Sequence, residues 1–256
     1  MANSYKTQSD KVAAYYNEWH RKYKQVYGKI IQAHRPPNDT DLLDYTIKSA
    51  GLSNGQKILD AGCGNCEPSV YFASKLNISI EAVTISSSQV EDAKTRISEK
   101  QLADVIHVKQ GDYHELDLLY PANTFDKVLF LESLGHSGDP AKVISGTYQV
   151  LKPGGEIYIK DFYPKKPKDA AIREKIEKVV ATLNQSYQYN TLDLNETITA
   201  LRASNFEIGF IKQIDFKNDA AIKNEFEAQF GINLFGDIEE FYFAEWLEIK
   251  CFKPTY

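Results

Sequence analysis

The feature that most constrains this chain is a short apolar run that ends on an acid and breaks directly into two glycines. Residues 57–59 predict a buried strand, Asp60 follows it, and Gly62 and Gly64 form a Gly-x-Gly turn. The apolar spacing of residues 68–76 predicts a helix after the turn. Glycines let the backbone approach a ligand closely, and the start of a helix offers unpaired N–H groups. The stretch therefore predicts a crevice of the nucleotide-binding kind.

The rest of the chain alternates apolar runs with amphipathic segments, which predicts an α/β fold. Strands are predicted at residues 57–60, 78–84, 105–109, 126–131, 156–161, 206–214 and 240–251. One or two helices are predicted at residues 8–32, and single helices at residues 41–50, 67–76, 87–101, 139–151, 170–183, 195–204 and 219–230. Alternation of this type predicts a mainly parallel sheet that is crossed by helices.

Composition narrows the class of protein. The 256 residues fit one α/β domain that spans residues 1–256. The net charge of −5 argues against a nucleic-acid partner, and no apolar run approaches the ~18 residues of a transmembrane helix. The first ten residues are polar, which favours a cytoplasmic location over secretion. The cysteines Cys63 and Cys66 form a Cys-x-x-Cys with no second ligand pair, so we assign no metal to them.

The acid at the start of the first crossover helix indicates the charge of the ligand. Glu67 repels a pyrophosphate and suits a ligand that carries a cation. With Asp60 before the glycines, the stretch resembles motif I of class I S-adenosylmethionine (SAM)-dependent methyltransferases. That motif usually reads Asp-x-Gly-x-Gly-x-Gly, and Cys66 stands here at the third glycine. The resemblance implies SAM as cofactor and a seven-stranded, three-layer Rossmann-like sheet that an antiparallel hairpin closes. Its first cofactor contacts would be Asp60, Gly62, Cys63 and Gly64.

Later motifs follow in the same order. Residues 83–89 read Val-Thr-Ile-Ser-x-x-Gln, which resembles the branch of cyclopropane fatty acid synthases and isoprenoid C-methyltransferases. In that branch the Thr and Gln take over contacts to the ribose, although ordinary strand and helix positions would fit them too. The Gly-Asp-Tyr after the third strand implies an adenine site, with a simple Asx turn as the alternative. The further cofactor contacts are therefore expected at Thr84, Ile85, Gln89, Gly111, Asp112, Tyr113 and Leu131.

The candidate catalytic residues follow the fourth strand. Glu132 ends that strand, where ligands bind in open α/β sheets, and it is expected to act as a base or cation stabiliser. His136 is either a second base or a local partner of Asp139. The Glu-Ser-x-Gly-His wording resembles sterol, tocopherol and prenyl-diphosphate C-methyltransferases. We therefore expect methylation of an apolar, isoprenoid-like acceptor at carbon. The alternatives are an N- or O-methyltransferase of a small metabolite and a non-catalytic SAM-binding protein.

The segments around the core are expected to hold the acceptor. Residues 1–50 are predicted as a helical lid, 51–162 as the SAM-binding core, 163–205 as a helical cap insertion and 206–256 as closing strands. The expected partner is a small-molecule acceptor, and self-association as a homodimer stays open. A run of four lysines is interpreted as a solvated face or as a contact to a diphosphate: Lys160, Lys165, Lys166 and Lys168. The apolar face of residues 8–32 predicts either a helix that only packs on the core or a lid whose aromatic residues cover the substrate, namely Tyr16, Trp19 and Tyr23.

Overall fold

The computed structural model describes residues 7–256. Their strands are β1 Lys57–Ala61, β2 Ser79–Thr84, β3 Ile106–Gln110, β4 Phe125–Leu131, β5 Leu151–Pro164, β6 Glu207–Gln213 and β7 Ala244–Phe252. They form one sheet in the order β3-β2-β1-β4-β5-β7-β6. The first five strands pair in parallel, and β7 runs antiparallel to both β5 and β6. The predicted Rossmann-like sheet with its antiparallel closing strands is confirmed.

Helices cover both faces of this sheet. Their bounds are α1 Gln8–Tyr27, α2 Asp39–Ala50, α3 Glu67–Lys75, α4 Ser87–Glu99, α5 Leu116–Leu119, α6 Pro140–Val150, α7 Ala170–Tyr187, α8 Leu194–Ala203 and α9 Ala221–Phe230. One face packs on α2, α3 and α4, and the other packs on α5, α6 and α8. Within residues 7–256, no helix is both long and apolar enough to cross a membrane.

A separate aromatic layer joins α1 to α9. Tyr23 of α1 stacks on Phe226 of α9 with 4.4 Å between ring centroids, and Tyr27 meets the same ring edge-on at 5.4 Å. At the start of α1, the Thr7 hydroxyl accepts from the Asp10 N–H, and the Asp10 carboxylate accepts from the Thr7 N–H, which forms a capping box. The ring contacts with Phe226 hold α1 outside the sheet, near the carboxyl ends of the parallel strands.

Several boundaries differ from the predicted ones, and three of these differences have a clear structural reason. The first helix ends at Tyr27, not at residue 32, because Gly28 takes φ +69° and leaves the right-handed helical region. The fifth strand begins at Leu151, because that residue already pairs with Phe125 before a register shift. The last strand begins at Ala244, where its pairing with Pro164 starts, and not at residue 240.

Candidate active site

The glycine turn after β1 packs against the loop after β4. Gly62 has φ +82°, and a Cβ on it would lie 2.5 Å from the Cβ of Ser133. Gly64 has φ +54°, but a Cβ there would meet only Gln89, at 3.9 Å. Close packing therefore requires a glycine at position 62, whereas position 64 leaves open backbone that a ligand can approach.

Asp60, just before the turn, is a structural residue in this arrangement. Its buried carboxylate accepts a hydrogen bond from the Ser69 hydroxyl at 2.6 Å, which ties β1 to α3. Burial raises the pKa of Asp60 to about 6, and the Ser69 hydroxyl opposes that rise. Neither Asp60 nor Cys63 lines the cleft beside the turn. Their contacts to the cofactor stay predictions.

A cleft of about 80 Å³ lies over the carboxyl ends of β1, β2 and β4. The predicted cofactor residues that line it are Gly62, Gly64, Thr84, Ile85, Gln89, Gly111, Asp112, Tyr113 and Leu131. The structure adds five residues that were not among the predicted site residues: Ser9, Val12, Ile31, His114 and Ser133. Small-molecule sites usually measure ~300–1000 Å³. This cleft is smaller, and α1 narrows it because Ser9 and Val12 of that helix form part of its wall.

Asp112 is held by the residue two positions after it. Its Oδ1 accepts from both the backbone N–H of His114 at 2.9 Å and the Nδ1 of that ring at 2.5 Å. The other ring nitrogen lies 2.7 Å from the Ser137 hydroxyl. Burial alone would raise the pKa of Asp112, but hydrogen bonds from His114 and Ser9 lower it to about 2. Asp112 is therefore a carboxylate that His114 and Ser9 hold in the wall of the cleft.

A second and larger cavity of about 340 Å³ lies between α1, α7, α9 and the segment before β7. Its wall is mainly aromatic and includes Tyr16, Tyr23, Tyr27, Phe162, Tyr187, Tyr189 and Trp246. Two of the three predicted lid aromatics, Tyr16 and Tyr23, thus line it. Trp19 does not, because its ring packs on Phe226 and Phe230 with the Lys22 ammonium 3.6 Å from its centre.

The two cavities meet at four shared residues: Tyr16, Ile31, Glu132 and His136. Both predicted catalytic residues are therefore at the junction. Tyr16 reaches the junction from α1, Glu132 directly follows β4, and His136 lies in a short 3-10 helix after it. A group bound in either cavity would thus lie against the same four residues.

The Glu132 carboxylate is fully engaged by the protein. Glu132 has a backbone φ of 56°, which lies in the left-handed region that a non-glycine residue seldom adopts. The carboxylate accepts from the Ala33 N–H at 2.6 Å and from the His34 N–H at 3.4 Å, and it pairs with the Lys160 ammonium. Lys160 is itself fully buried and also donates to Gln32 Oε1 at 2.8 Å. This lysine is therefore neither on a solvated face nor free for a diphosphate, so both predictions for it are wrong.

His136 has a defined tautomer. Its Nδ1 lies 3.2 Å from the carbonyl oxygen of Gln188, which can only accept, so Nδ1 carries the proton. Its Nε2 then accepts from the Tyr16 hydroxyl at 2.8 Å. Burial lowers the pKa of His136 to about 4, and the hydrogen bond to Gln188 opposes this. The predicted local pairing with Asp139 is wrong, because Asp139 instead caps α6 by accepting from the Lys142 N–H.

Comparison with known proteins identifies the family. A family model described as a methyltransferase domain matches residues 52–224, which are more than half of the chain. This chain belongs to the class I SAM-dependent methyltransferases. The residues that line the smaller cleft suit SAM, because open backbone at Gly64 and the hydrogen-bonded pair Thr84–Gln89 (2.6 Å) face it together with the Asp112 carboxylate. Among residues 7–256, no cluster of three or more His, Cys, Asp or Glu side chains is placed to hold a metal ion.

The relatives of this methyltransferase include one named for O-methylation of a rifamycin and one named for C-methylation of sterols. The 27-O-demethylrifamycin SV methyltransferase of Amycolatopsis mediterranei is 37% identical over 123 residues, 48% of this chain and 44% of that protein. The sterol 24-C-methyltransferase of Pneumocystis carinii is 32% identical over 111 residues, 43% of this chain and 29% of that protein. The chain matches less than half of the length of these relatives.

Solved structures share the fold of this methyltransferase over its whole length. The 4+2 cyclase SpnF superposes with a TM-score of 0.79 at 21% identity, covering 98% of this chain and 97% of that one. The geranyl diphosphate C-methyltransferase of Streptomyces coelicolor A3(2), solved with S-adenosyl-L-homocysteine, gives 0.73 at 15% identity over 99% and 100%. At these identities the likeness establishes the fold and not the reaction.

Proposed function

We propose that this methyltransferase moves the methyl group of SAM to a hydroxyl oxygen of an uncharged, apolar small molecule, and that His136 accepts the proton. The observation that carries the proposal is the junction between the two cavities, where Nε2 of a neutral imidazole accepts a hydroxyl hydrogen bond. SAM would occupy the smaller cleft and the acceptor would occupy the aromatic cavity. The acceptor hydroxyl would replace the Tyr16 hydroxyl on Nε2.

The charges of the aromatic cavity argue against a phosphate on the acceptor. Glu132 pairs with Lys160, and Glu227 accepts from both Lys223 at 2.9 Å and the Tyr187 hydroxyl at 2.9 Å. These charged groups are thus used within the wall, and a phosphate group would find no unpaired cation among them. Aromatic faces supply the remaining contacts through burial of apolar surface.

The chain's own residues supply orientation and a proton acceptor. Bound SAM supplies an electrophilic methyl group, and the electron pair of the broken C–S bond stays on sulfur. The acceptor oxygen forms the new bond to carbon, and its proton passes to Nε2 of His136. The positive charge thus moves from the donor to the imidazole, so the net charge of the site does not change. Orientation of this kind contributes ~7–11 kcal/mol in favourable cases.

Methylation at carbon with Glu132 as the base is the second candidate. Glu132 lines both cavities, and tyrosine rings beside it are suited to stabilise a carbocation. Against a base role stand the three donors that already occupy its carboxylate: Lys160 and the N–H groups of Ala33 and His34. A carboxylate held in this way is better suited to electrostatic stabilisation of a cation than to proton removal.

Two measurements test the proposal. Calorimetry with SAM and S-adenosylhomocysteine tests binding in the smaller cleft. Turnover with deuteromethyl SAM and a panel of apolar alcohols, phenols, amines and prenyl diphosphates then identifies the methylated atom by mass spectrometry and NMR. We expect labelled methyl ethers, with turnover lost in His136→Phe and retained in part in Glu132→Gln.

The possible outcomes separate the candidates. Label on carbon together with loss of turnover in Glu132→Gln would support the second candidate. SAM binding without turnover on any class of acceptor would favour a non-catalytic SAM-binding protein. A lack of affinity for both SAM and S-adenosylhomocysteine would contradict the whole proposal.

A further inference from the structure

The hydroxyl of Tyr27 is an unpaired polar group in the wall of the aromatic cavity. Tyr27 ends α1, lines the larger cavity but not the smaller cleft, and is 5% exposed. Within residues 7–256 its hydroxyl has no hydrogen-bonding partner, yet it is not sealed from solvent as the unpaired hydroxyl of Tyr120 is. The small accessible part of Tyr27 therefore includes its hydroxyl, and that part opens into the cavity.

The other tyrosine hydroxyls of this wall are already engaged or meet solvent. Tyr242 is 60% exposed. The remaining four bind within the protein: Tyr16 to His136, Tyr23 to Tyr15, Tyr187 to Glu227 and Tyr189 to the backbone carbonyl of Glu132. Buried polar groups are nearly always bonded, because an unpaired one costs free energy. The hydroxyl of Tyr27 is therefore the one that is left to bind a ligand.

Two neighbouring rings fix the orientation of this phenol. Phe226 of α9 meets the Tyr27 ring edge-on with 5.4 Å between centroids, and Tyr23 lies 5.6 Å away at an interplanar angle of 51°. A side chain that is already ordered loses little freedom when a ligand binds. A hydrogen bond to this hydroxyl would thus be opposed by little conformational entropy.

The charges near Tyr27 define what its hydroxyl can bind. Burial, followed by the charges of Glu132 and Glu227, raises the pKa of Tyr27 well above its usual value, and the charge of Arg35 opposes this. The phenol therefore keeps its proton and offers an O–H donor. Because both carboxylates line the same cavity, a carboxylate or phosphate would meet like charge there, whereas an uncharged oxygen would not.

We propose that the Tyr27 hydroxyl donates a hydrogen bond to an uncharged carbonyl or hydroxyl oxygen of the acceptor, at a distance from the atom that is methylated. Tyr27 lines only the larger cavity, whereas Glu132 and His136 lie at the junction of both. The inference rests on the proposed function only in assigning the aromatic cavity to the acceptor. The acceptor is accordingly a molecule with an apolar body that carries such an oxygen away from its methylation site.

The test compares pairs of ligands that share a shape and differ in one group. Acetophenone, 2-acetylnaphthalene and 2-acetylphenanthrene are each paired with the isopropenyl compound of the same ring system, in which a CH₂ group replaces the carbonyl oxygen. The three ring systems differ in size because the cavity of about 340 Å³ can favour any of them. Equilibrium dialysis against the full chain measures the affinity of each ligand for the wild-type protein and for Tyr27→Phe.

The expected result is a change in the ratio of ketone affinity to hydrocarbon affinity. For the ring system that binds most tightly, we expect this ratio to be about 3- to 10-fold higher in the wild-type protein than in Tyr27→Phe. The comparison of ratios cancels the greater hydrophobicity of the isopropenyl compound, because that difference is the same for both proteins.

A second measurement observes the hydrogen bond directly. The ¹³C resonance of a carbonyl carbon moves to higher chemical shift when its oxygen accepts a hydrogen bond. We therefore expect the bound ketone, labelled at its carbonyl carbon, to resonate at higher shift in the wild-type protein than in Tyr27→Phe. A tyrosine that only packs against the ligand would not produce this difference.

Tyr120→Phe is the matched control. It also removes an unpaired hydroxyl, but one that is sealed in the core of the sheet and lines neither cavity. We expect this variant to keep both the wild-type affinity ratio and the wild-type carbonyl shift. Thermal unfolding should show that neither variant loses stability, because no protein group binds either hydroxyl.

Three outcomes would overturn the inference. They are an affinity ratio that is unchanged in Tyr27→Phe, a carbonyl shift that is the same in the wild-type protein and the variant, and a failure of every ligand to bind. These measurements need neither SAM nor turnover. SAM calorimetry on the same proteins therefore reports separately on the proposed function, and a chain that binds the ketone through Tyr27 but does not bind SAM would contradict only that function.

Discussion

The hydroxyl of Tyr16 lies 2.8 Å from Nε2 of His136, a bond that joins helix α1 to the loop after β4. The two rings meet edge-on with 5.2 Å between their centroids. Because both residues line both cavities, this bond spans the point where donor and acceptor would meet. Tyr16 is thus bound to the same lone pair that an acceptor hydroxyl would need.

Substitutions at these two positions should have different effects. His136→Phe removes the proton acceptor, and we expect turnover on a hydroxyl acceptor to fall by about 10²- to 10⁴-fold. Tyr16→Phe removes the competing hydroxyl and leaves Nε2 in place, so kcat should be largely retained. Steady-state kinetics measures both, and SAM calorimetry shows whether the smaller cleft is intact. Equal losses of kcat in the two variants would argue that the pair acts only as a structural contact.

The glycine turn gives a prediction with a control in the same chain. Gly62 and Gly55 both have strongly positive φ, +82° and +85°, but only Gly62 has a neighbour that a Cβ would strike, Ser133. Gly55→Ala should destabilise the protein by about 1–2 kcal/mol from backbone strain alone. Gly62→Ala should cost more and should also weaken SAM binding. Urea unfolding and calorimetry measure these effects, and equal losses in the two variants would contradict the close approach of Ser133.

The strand–turn–helix unit was predictable from the sequence because its determinants are local. An apolar run, an acid and two glycines fix β1 and its turn, and most of the residues that line the smaller cleft lie in motifs of adjacent positions. Trp19 was misplaced for the opposite reason, since the apolar face of α1 does not show which of its aromatics face a cavity. Only the packing of α1 against Phe226 and Phe230 separates Trp19 from Tyr16.

The partners of Glu132 were also beyond reach of the sequence. The alternation of strands and helices predicted that Glu132 lies at the end of β4. It did not predict the ion pair of Glu132 with Lys160, because that lysine lies 28 residues away on the neighbouring strand. Lys160 resembled other lysines of a polar run, and only pairing of β4 with β5 shows that it is buried. Long-range pairing of this kind leaves no local pattern.

Removal of this lysine should destabilise the protein strongly. Lys160→Met leaves the buried Glu132 carboxylate without its cation, and breaking such a pair typically costs about 3–5 kcal/mol. The double variant Lys160→Met, Glu132→Gln should recover part of that loss, because it leaves no buried charge. Lys178→Met is the control, since both Lys178 and its partner Glu174 are exposed and no measurable change is expected. Urea unfolding measures the free energy of unfolding of each variant. If the double variant were no more stable than Lys160→Met, the result would contradict the pairing of Lys160 with Glu132.

The two buried histidines of the cavity wall should make stability fall in acid. The pKa is lowered to about 3 for His34 and to about 4 for His136, mainly by burial, whereas an unfolded histidine titrates near ~6.5. At a pH between the native and the unfolded pKa values, each of these histidines is protonated in the unfolded chain and neutral in the native protein. The free energy of unfolding therefore decreases as pH falls below about 6.5, by about 2 kcal/mol per histidine at roughly pH 5.

Urea unfolding at several pH values should show a smaller acid loss in His34→Phe and His136→Phe than in the wild-type protein. His107→Asn is the control because its side chain is 60% exposed, and an unchanged pH dependence in His34→Phe would show that its ring is not buried as a neutral group.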